Sequence, residues 1–342
     1  VEKIKMKKIL LIIILITVTI YGGDVDRKGT TGAEQLLIPV GARSIATGGS
    51  FLANLTGLES IYYNPAGLDV IPQTEAMFSY VSYIADINIS YFAVGTTLGD
   101  FGSIGFDIKS LDFGDIPVTT VDFPDGTGNT YSPAFMTLGL TYSKVLTDRI
   151  SIGTNFKLIN ETIQNTSATG FAIDAGVQYR FSESLMIGAA VKNIGTNMTY
   201  SGQDMTTRTQ IPGTVPGASS GSYEIVAESF QIPSFFQLSL TYALNFNEQN
   251  SLLFGGAYTA NNSFEDIANL GMEYGFMNNF FVRGGYNYLV ENSSDYIYGL
   301  TAGAGVNYNV GGDIGFAFDY AFRDVKDFPS ANHIFTIKLS FQ

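Results

Sequence analysis

The chain of 342 residues has no cysteine, no tryptophan and a single histidine, His333. Without cysteine there is no disulfide framework, no thiolate nucleophile and no lipid anchor of the cysteine-linked kind. One histidine gives neither a metal cluster nor a dyad of obvious spacing. At the start of the last strand-like segment it reads as a surface residue. Charge is scarce: 14% of residues are Asp, Glu, Lys or Arg, where a soluble domain carries about 25%. The formal net charge of −13 excludes an ordinary nucleic-acid binder. Beyond the N-terminus no apolar run approaches the roughly 18 residues of a transmembrane helix. No catalytic residue, cofactor or metal site is expected.

What the chain does have is 38 Gly, 26 Phe and 20 Tyr. Low charge, many glycines and many aromatics without a long apolar run indicate a transmembrane β-barrel. The N-terminus is different. Lys3, Lys5, Lys7 and Lys8 precede an unbroken apolar run over 9–20. A run of that length reaches only about 18 Å as a helix, against a hydrocarbon core of about 30 Å. Residues 1–23 are therefore expected to be a secretory signal peptide.

Period-2 alternation, which sends side chains to opposite faces of a sheet, recurs through the rest. Phe171, Ile173, Ala175, Val177, Tyr179 and Phe181 form one apolar face, with Asp174, Gln178 and Arg180 on the other. This reading predicts strands at 74–85, 88–98, 102–112, 134–147, 150–163, 170–181 and 185–193. Seven more follow at 235–246, 251–259, 267–275, 280–290, 297–309, 313–322 and 333–341. All ten prolines fall outside these spans, as a ladder that uses every N–H requires. Connections after even-numbered strands are short, whereas several after odd-numbered ones are long (113–133, 194–234, 323–332). Outer-membrane barrels show this parity because periplasmic turns are short and extracellular loops long. Phe181, Phe246, Phe276, Phe280 and Tyr308 lie beside the short turns, where an aromatic girdle belongs. The expected fold is all-β, a 14-stranded antiparallel transmembrane barrel over 73–342.

Fourteen strands enclose more than side chains alone can fill. Residues 37–68 are nearly uncharged, rich in Gly and Ala, and too irregular for a strand. The expectation is that residues 24–72 form a hatch or plug inside the lumen, close-packed because small residues permit it.

Within that stretch, Val40-Gly41-Ala42-Arg43, Gly48-Gly49-Ser50-Phe51 and Tyr63-Asn64-Pro65-Ala66-Gly67-Leu68 resemble the N-terminal signature of the PorV/PorQ family. These are outer-membrane proteins related in fold to the FadL hydrocarbon transporters. The resemblance implies a hatch motif of Gly41, Ala42, Arg43, Gly48, Gly49, Asn64, Pro65, Ala66 and Gly67. It further implies a non-enzymatic role in type IX secretion or surface attachment of cargo. The partners would be outer-membrane lipid, type IX translocon proteins and secreted cargo C-terminal domains. The FadL-type alternative is passive transport of hydrophobic small molecules, with a hydrophobic ligand in the lumen. The sequence departs from the family at Thr56-Gly57-Leu58-Glu59, where an acidic pair is frequent.

The inner-face register predicts lumen-facing charges at Asp107, Lys109, Lys157, Asp174, Arg180, Lys192, Arg283, Asp319 and Lys338. Facing lipid, a mid-membrane Lys or Arg would cost about 2–4 kcal/mol. Facing inward, opposite signs can pair. Arg43, the only charge between 41 and 58, is expected to pair with Asp174 or Asp319. Acidic residues at 112–125, Glu265-Asp266 and Asp324/Asp327 read as solvated loop charges. The 194–234 loop reads as a docking surface for a partner.

Overall fold

The structure, a computed structural model, describes residues 29–210, 215, 220–291, 296–311 and 314–341. The expected signal peptide and part of the 194–234 loop lie outside the described residues.

Fourteen strands form one closed antiparallel cylinder: β1 (Thr74–Ser82), β2 (Asn88–Thr97), β3 (Ser103–Asp112), β4 (Ala134–Thr147), β5 (Ile150–Ile163), β6 (Thr166–Arg180), β7 (Leu185–Gly195), β8 (Phe235–Asn245), β9 (Ser251–Asn261), β10 (Ile267–Phe276), β11 (Phe280–Leu289), β12 (Tyr298–Gly311), β13 (Ile314–Val325) and β14 (Asn332–Phe341). Each pairs with its neighbours in sequence, and β1 closes on β14 from Thr74↔Phe341 to Ser82↔His333. Closure leaves no sheet edge, which is what lipid demands of a spanning sheet. Each expected strand is present within a few residues. The largest shift is at β6, which begins at Thr166 rather than 170. There Gln164 adopts φ 52° and Asp204 accepts from the Asn165 N–H at 3.0 Å. A two-residue turn therefore replaces a longer loop.

The alternation holds in three dimensions. On β6, Phe171, Ile173 and Val177 are exposed to the outside, while Ala172, Asp174 and Gln178 are buried within. Phe181, Phe246, Phe276, Phe280 and Tyr308 are all exposed near the short-turn end. One register shift falls in mid-wall, where Ile173↔Ile194 is followed by Ala175↔Val191. Lys192 and Asn193 thus share the place opposite Asp174, and this bulge turns two consecutive side chains inward.

The N-terminal segment, residues 29–73, runs through the interior as coil with short helical turns at Glu34–Leu37, Ala42–Ala46, Ser60–Tyr63 and Pro65–Gly67. It begins near the long-loop end, where Gly32 N–H donates to Gln231 C=O, and leaves beside the short turns into β1. A coil in a closed interior has backbone groups that no ladder satisfies, so the wall must supply partners. It does so from all sides. Ala42 N–H donates to Thr336 Oγ1 of β14 at 2.9 Å, and Thr301 Oγ1 of β12 donates to Ala46 C=O at 2.9 Å. Ser239 Oγ of β8 donates to Ser50 C=O at 2.6 Å, and Ser143 Oγ of β4 to Ala66 C=O at 3.1 Å. Gln178 Nε2 of β6 reaches both Leu52 C=O and Leu55 C=O, at 3.0 and 2.8 Å.

Close approach needs glycine in the wall as well as in the segment. A Cβ at Gly153 would collide with the backbone of Pro65, and one at Gly271 with that of Thr47. Gly153→Val should cost about 1–3 kcal/mol through this overlap, borne mainly by the segment's seating. Arg43 is the one tryptic site in residues 29–72. Limited trypsinolysis of the folded variant should cut at Arg43 about tenfold faster or more than in the parent. Equal rates would mean that the segment is held by something else.

Candidate functional site: the long-loop half of the lumen

Above the segment, toward the long loops, the lumen is not filled. A cavity of about 840 Å³ opens between residues 31–49 of the segment and the upper ends of the strands. That volume lies within the range of about 300–1,000 Å³ typical of ligand pockets. Its walls are mainly apolar and aromatic: Tyr62 and Tyr63 below, with Tyr83, Phe113, Phe135, Phe235, Tyr296 and Tyr298 around the sides. Phe113 and Phe135 meet edge to face at 4.8 Å between ring centres, a favourable arrangement of ring quadrupoles. These residues cluster because they sit where strands end and side chains can lean inward over the segment.

Polar groups also line it, Glu34, Glu161 and Glu265 among them, and several are held by aromatic neighbours. The Arg323 guanidinium stacks over Tyr298 at 3.9 Å, and the Tyr83 and Tyr298 hydroxyls share a 2.6 Å hydrogen bond. Lys192 Nζ lies 3.8 Å from the Tyr62 ring centre and 5.4 Å from that of Phe235, and donates to Tyr62 C=O. Both cations therefore sit under aromatic faces, and neither forms an ion pair within 4 Å among the described residues. Burial holds the phenols of Tyr62 and Tyr83 above their ordinary range and pushes Tyr296 up to about 12. These three phenols stay neutral in any physiological medium. At the floor, Asn269 and Asn287 both donate to Gly48 C=O. Their Oδ1 atoms, with Tyr63 Oη and Gln35 Nε2, have no hydrogen-bond partner among the described residues.

Below the cavity the inward charges form two groups. On one side Arg43 binds Glu273 through Nε and Nη2, at 2.9 and 2.8 Å. Glu273 also accepts from Arg283 Nε at 2.5 Å, and Arg283 Nη1 reaches Asp319 at 2.6 Å. The expected partner of Arg43 is thus corrected: neither Asp174 nor Asp319 but Glu273. The turn Ala42–Ala46 packs on β11–β14, chiefly β13, where Arg283 already occupies Asp319. Asp174 lies on another part of the wall, 2.5 Å from Lys157, and accepts from the Asn193 N–H of the bulge. Glu273 was legible in principle, since it shares the inward register with Asn269 and Gly271.

The remaining predicted residues are scattered. Lys109 is buried and donates to Gln35 C=O and Ile38 C=O, while Asp107 is buried beside Gly139. Arg180 ends β6 on the inward register but is exposed at the rim. Lys338 stands 3.8 Å from Glu59, whose other oxygen accepts from Ser44 N–H at 2.8 Å. Of the motif residues, Asn64 caps the Pro65–Gly67 turn by accepting from Ala66 N–H, and donates to Val177 C=O at 3.0 Å. Gly41, Gly48 and Gly49 have positive φ, the backbone that glycine permits. His333 is exposed, 2.8 Å from the Tyr320 hydroxyl. Among the described residues no group of three or more His, Asp or Glu could hold a metal.

A closed fourteen-stranded cylinder, apolar outside and polar within, is the architecture of an outer-membrane barrel. No family model and no curated protein matches the sequence. Solved structures do match. The CymD monoaromatic hydrocarbon channel is similar at TM-score 0.57 and 11% identity, over 90% of this chain and 98% of that one. The Pseudomonas putida toluene transporter TodX gives TM-score 0.56 and 14% identity, over 89% and 98% of the two chains. A Pseudomonas aeruginosa FadL homologue gives 0.55 and 12%, again over 89% and 98%. At such identities the likeness is one of fold. This chain shares the fourteen-stranded barrel fold of these structures. Nothing in these comparisons favours the PorV/PorQ family or type IX secretion.

Glu273 holds two buried guanidinium groups, so Glu273→Gln should cost about 3–5 kcal/mol. Arg43→Ala should cost less, because Arg283 still neutralises Glu273. Chemical denaturation of the two variants should rank them in that order, and both should raise dye leakage from proteoliposomes. Unchanged leakage in both would show that the Arg43–Glu273 pair does not seal the lumen.

Proposed function

We propose that this protein is a passive, non-enzymatic conduit for hydrophobic small molecules across the outer membrane. The observation that carries this reading is the aromatic-walled cavity in the long-loop half of the lumen, open toward the loops and floored by the N-terminal segment. Apolar solutes dissolve poorly in water and are slowed by the polar outer leaflet, so a partly apolar receptacle above a seal captures them. The neutral phenols and the few unpartnered polar atoms at the floor give orientation without demanding a charged group. The segment then acts as the hatch, held by the hydrogen bonds from β4, β6, β8, β12 and β14.

The names of the structural neighbours, a monoaromatic hydrocarbon channel and toluene transporters, agree in kind with such a cavity. A role in type IX secretion, with translocon and cargo partners, rests on the motif set between Val40 and Leu68. It has less behind it.

Cells producing the protein should take up radiolabelled toluene several-fold faster than cells without it. Gln237, on the inward register of β8, lines the cavity, and Gln237→Trp should fill part of it and cut uptake at least fivefold. Uptake equal with and without the parent protein would remove the transport reading.

A further inference from the structure

Several hydrogen-bonding side chains that the barrel turns inward are engaged by the segment. Ser239 Oγ of β8 donates to Ser50 C=O, and Asn269 of β10 and Asn287 of β11 donate to Gly48 C=O. Above Ser239 on the same face of β8 stands Gln237, whose cross-strand partner on β9 is Thr259. Gln237 is 8% exposed and Thr259 7%, yet neither side chain has a hydrogen bond to any described residue. Their polar atoms are not shut away, as Asn269 Oδ1 is: both residues line the cavity and keep those atoms open to it. The flanking strands offer no remedy. Gln237 is opposite Ala190 on β7, and Thr259 is opposite Ile267 on β10.

An amide and a hydroxyl this far from bulk water cost free energy unless something in the cavity bonds to them. Between them they can both donate and accept, which is what a single hydroxyl group requires. A bare hydrocarbon would leave both unpaired. An acid fits no better, because Glu34, Glu161 and Glu265 line the same cavity and Lys192 is already engaged by Tyr62 C=O. On the far side of the lumen, where β3 ends and β4 begins, the wall is Leu111, Phe113 and Phe135. The cavity is thus two-faced, with an aromatic side and an uncharged hydrogen-bonding side.

We propose that Gln237 and Thr259 form a subsite for an uncharged hydroxyl group on the solute, so that the preferred class is a phenol or aromatic alcohol. This rests on the transport reading and narrows its substrate class. The hydroxyl exchanges hydrogen bonds with the Gln237 amide and the Thr259 hydroxyl while the ring lies toward Phe113 and Phe135.

The test is equilibrium binding to the full-length protein in nanodiscs near neutral pH, measured above the uptake of empty nanodiscs. Naphthol, naphthalene and naphthoate serve as probes because they share one ring system. Each variant is first checked for a heat-modifiable folded barrel. The parent should bind naphthol at least about fivefold tighter than naphthalene, and tighter than naphthoate. Gln237→Leu/Thr259→Val, which keeps the shapes, should bring the naphthol-to-naphthalene ratio to within about twofold of one. Phe135→Ala should weaken both ligands and leave their ratio as in the parent. A ratio retained in the double variant, a ratio lost equally in Phe135→Ala, or tighter binding of naphthoate than of naphthol would overturn the subsite. Equal binding of naphthol and naphthalene by the parent would refute the subsite and leave the transport reading standing. Failure of the parent to bind any of the three would remove both.

Discussion

A peptide coil enclosed by a β-barrel must find a partner for each N–H and C=O away from bulk water, and the rest of this structure follows from that demand. Leaving one such group unpaired costs about 1–3 kcal/mol, so a segment of some forty residues could not stay inside unassisted. The wall answers with Ser, Thr, Asn and Gln at inward positions of many strands. Strand alternation makes this affordable, because the same strands keep Phe, Leu, Ile and Val toward lipid without compromise. The polarity of the interior is therefore set by the coil it encloses as much as by any solute.

The same logic orders the charges. A buried ion pair is weak evidence for stability, since desolvation offsets much of its attraction. Its value here is directional. Arg43 is paired at one azimuth of the cylinder, with Glu273, and Glu273 is itself fixed by Arg283, which also holds Asp319. The chain of alternating signs across β10, β11 and β13 fixes how the segment is rotated within the barrel. On another part of the wall the bulge at Lys192–Asn193 adds Asn193 to the Lys157–Asp174 pair, accepting from the one and donating to the other. It also sends Lys192 upward under Tyr62, at the boundary of the cavity.

The barrel itself was legible in the sequence. Period-2 alternation, proline exclusion and loop parity are local signals, and they placed fourteen strands to within a few residues. The partners inside were not. Which inward residue meets Arg43 depends on the rotation of the segment, which no spacing in the sequence encodes; hence Glu273 was passed over although its register marked it as inward. The bulge was invisible for a related reason. Lys192 and Asn193 both face inward, a break in alternation that appears only when β7 is paired with β6. Wall glycines such as Gly153, Gly188 and Gly271 looked like ordinary barrel composition until the segment's backbone was found lying against them.

Those glycines settle why the interior is divided as it is. Where a strand offers glycine, the segment's backbone comes down onto the wall and leaves no room, as at Gly153 and Gly271. Where strand ends carry Tyr, Phe and Leu, the segment is held off and space remains, which produces the upper cavity. On β7 the two conditions meet within a few residues. Gly188 and Ala190 draw the strip around Leu52–Leu55 against the wall, while Lys192 reaches the Tyr62 ring and carbonyl and Met186 faces the small space at the short-turn end. Small side chains on β7 therefore set how closely the segment lies on this part of the wall, a constraint separate from the Arg43–Glu273 pair on the other strands.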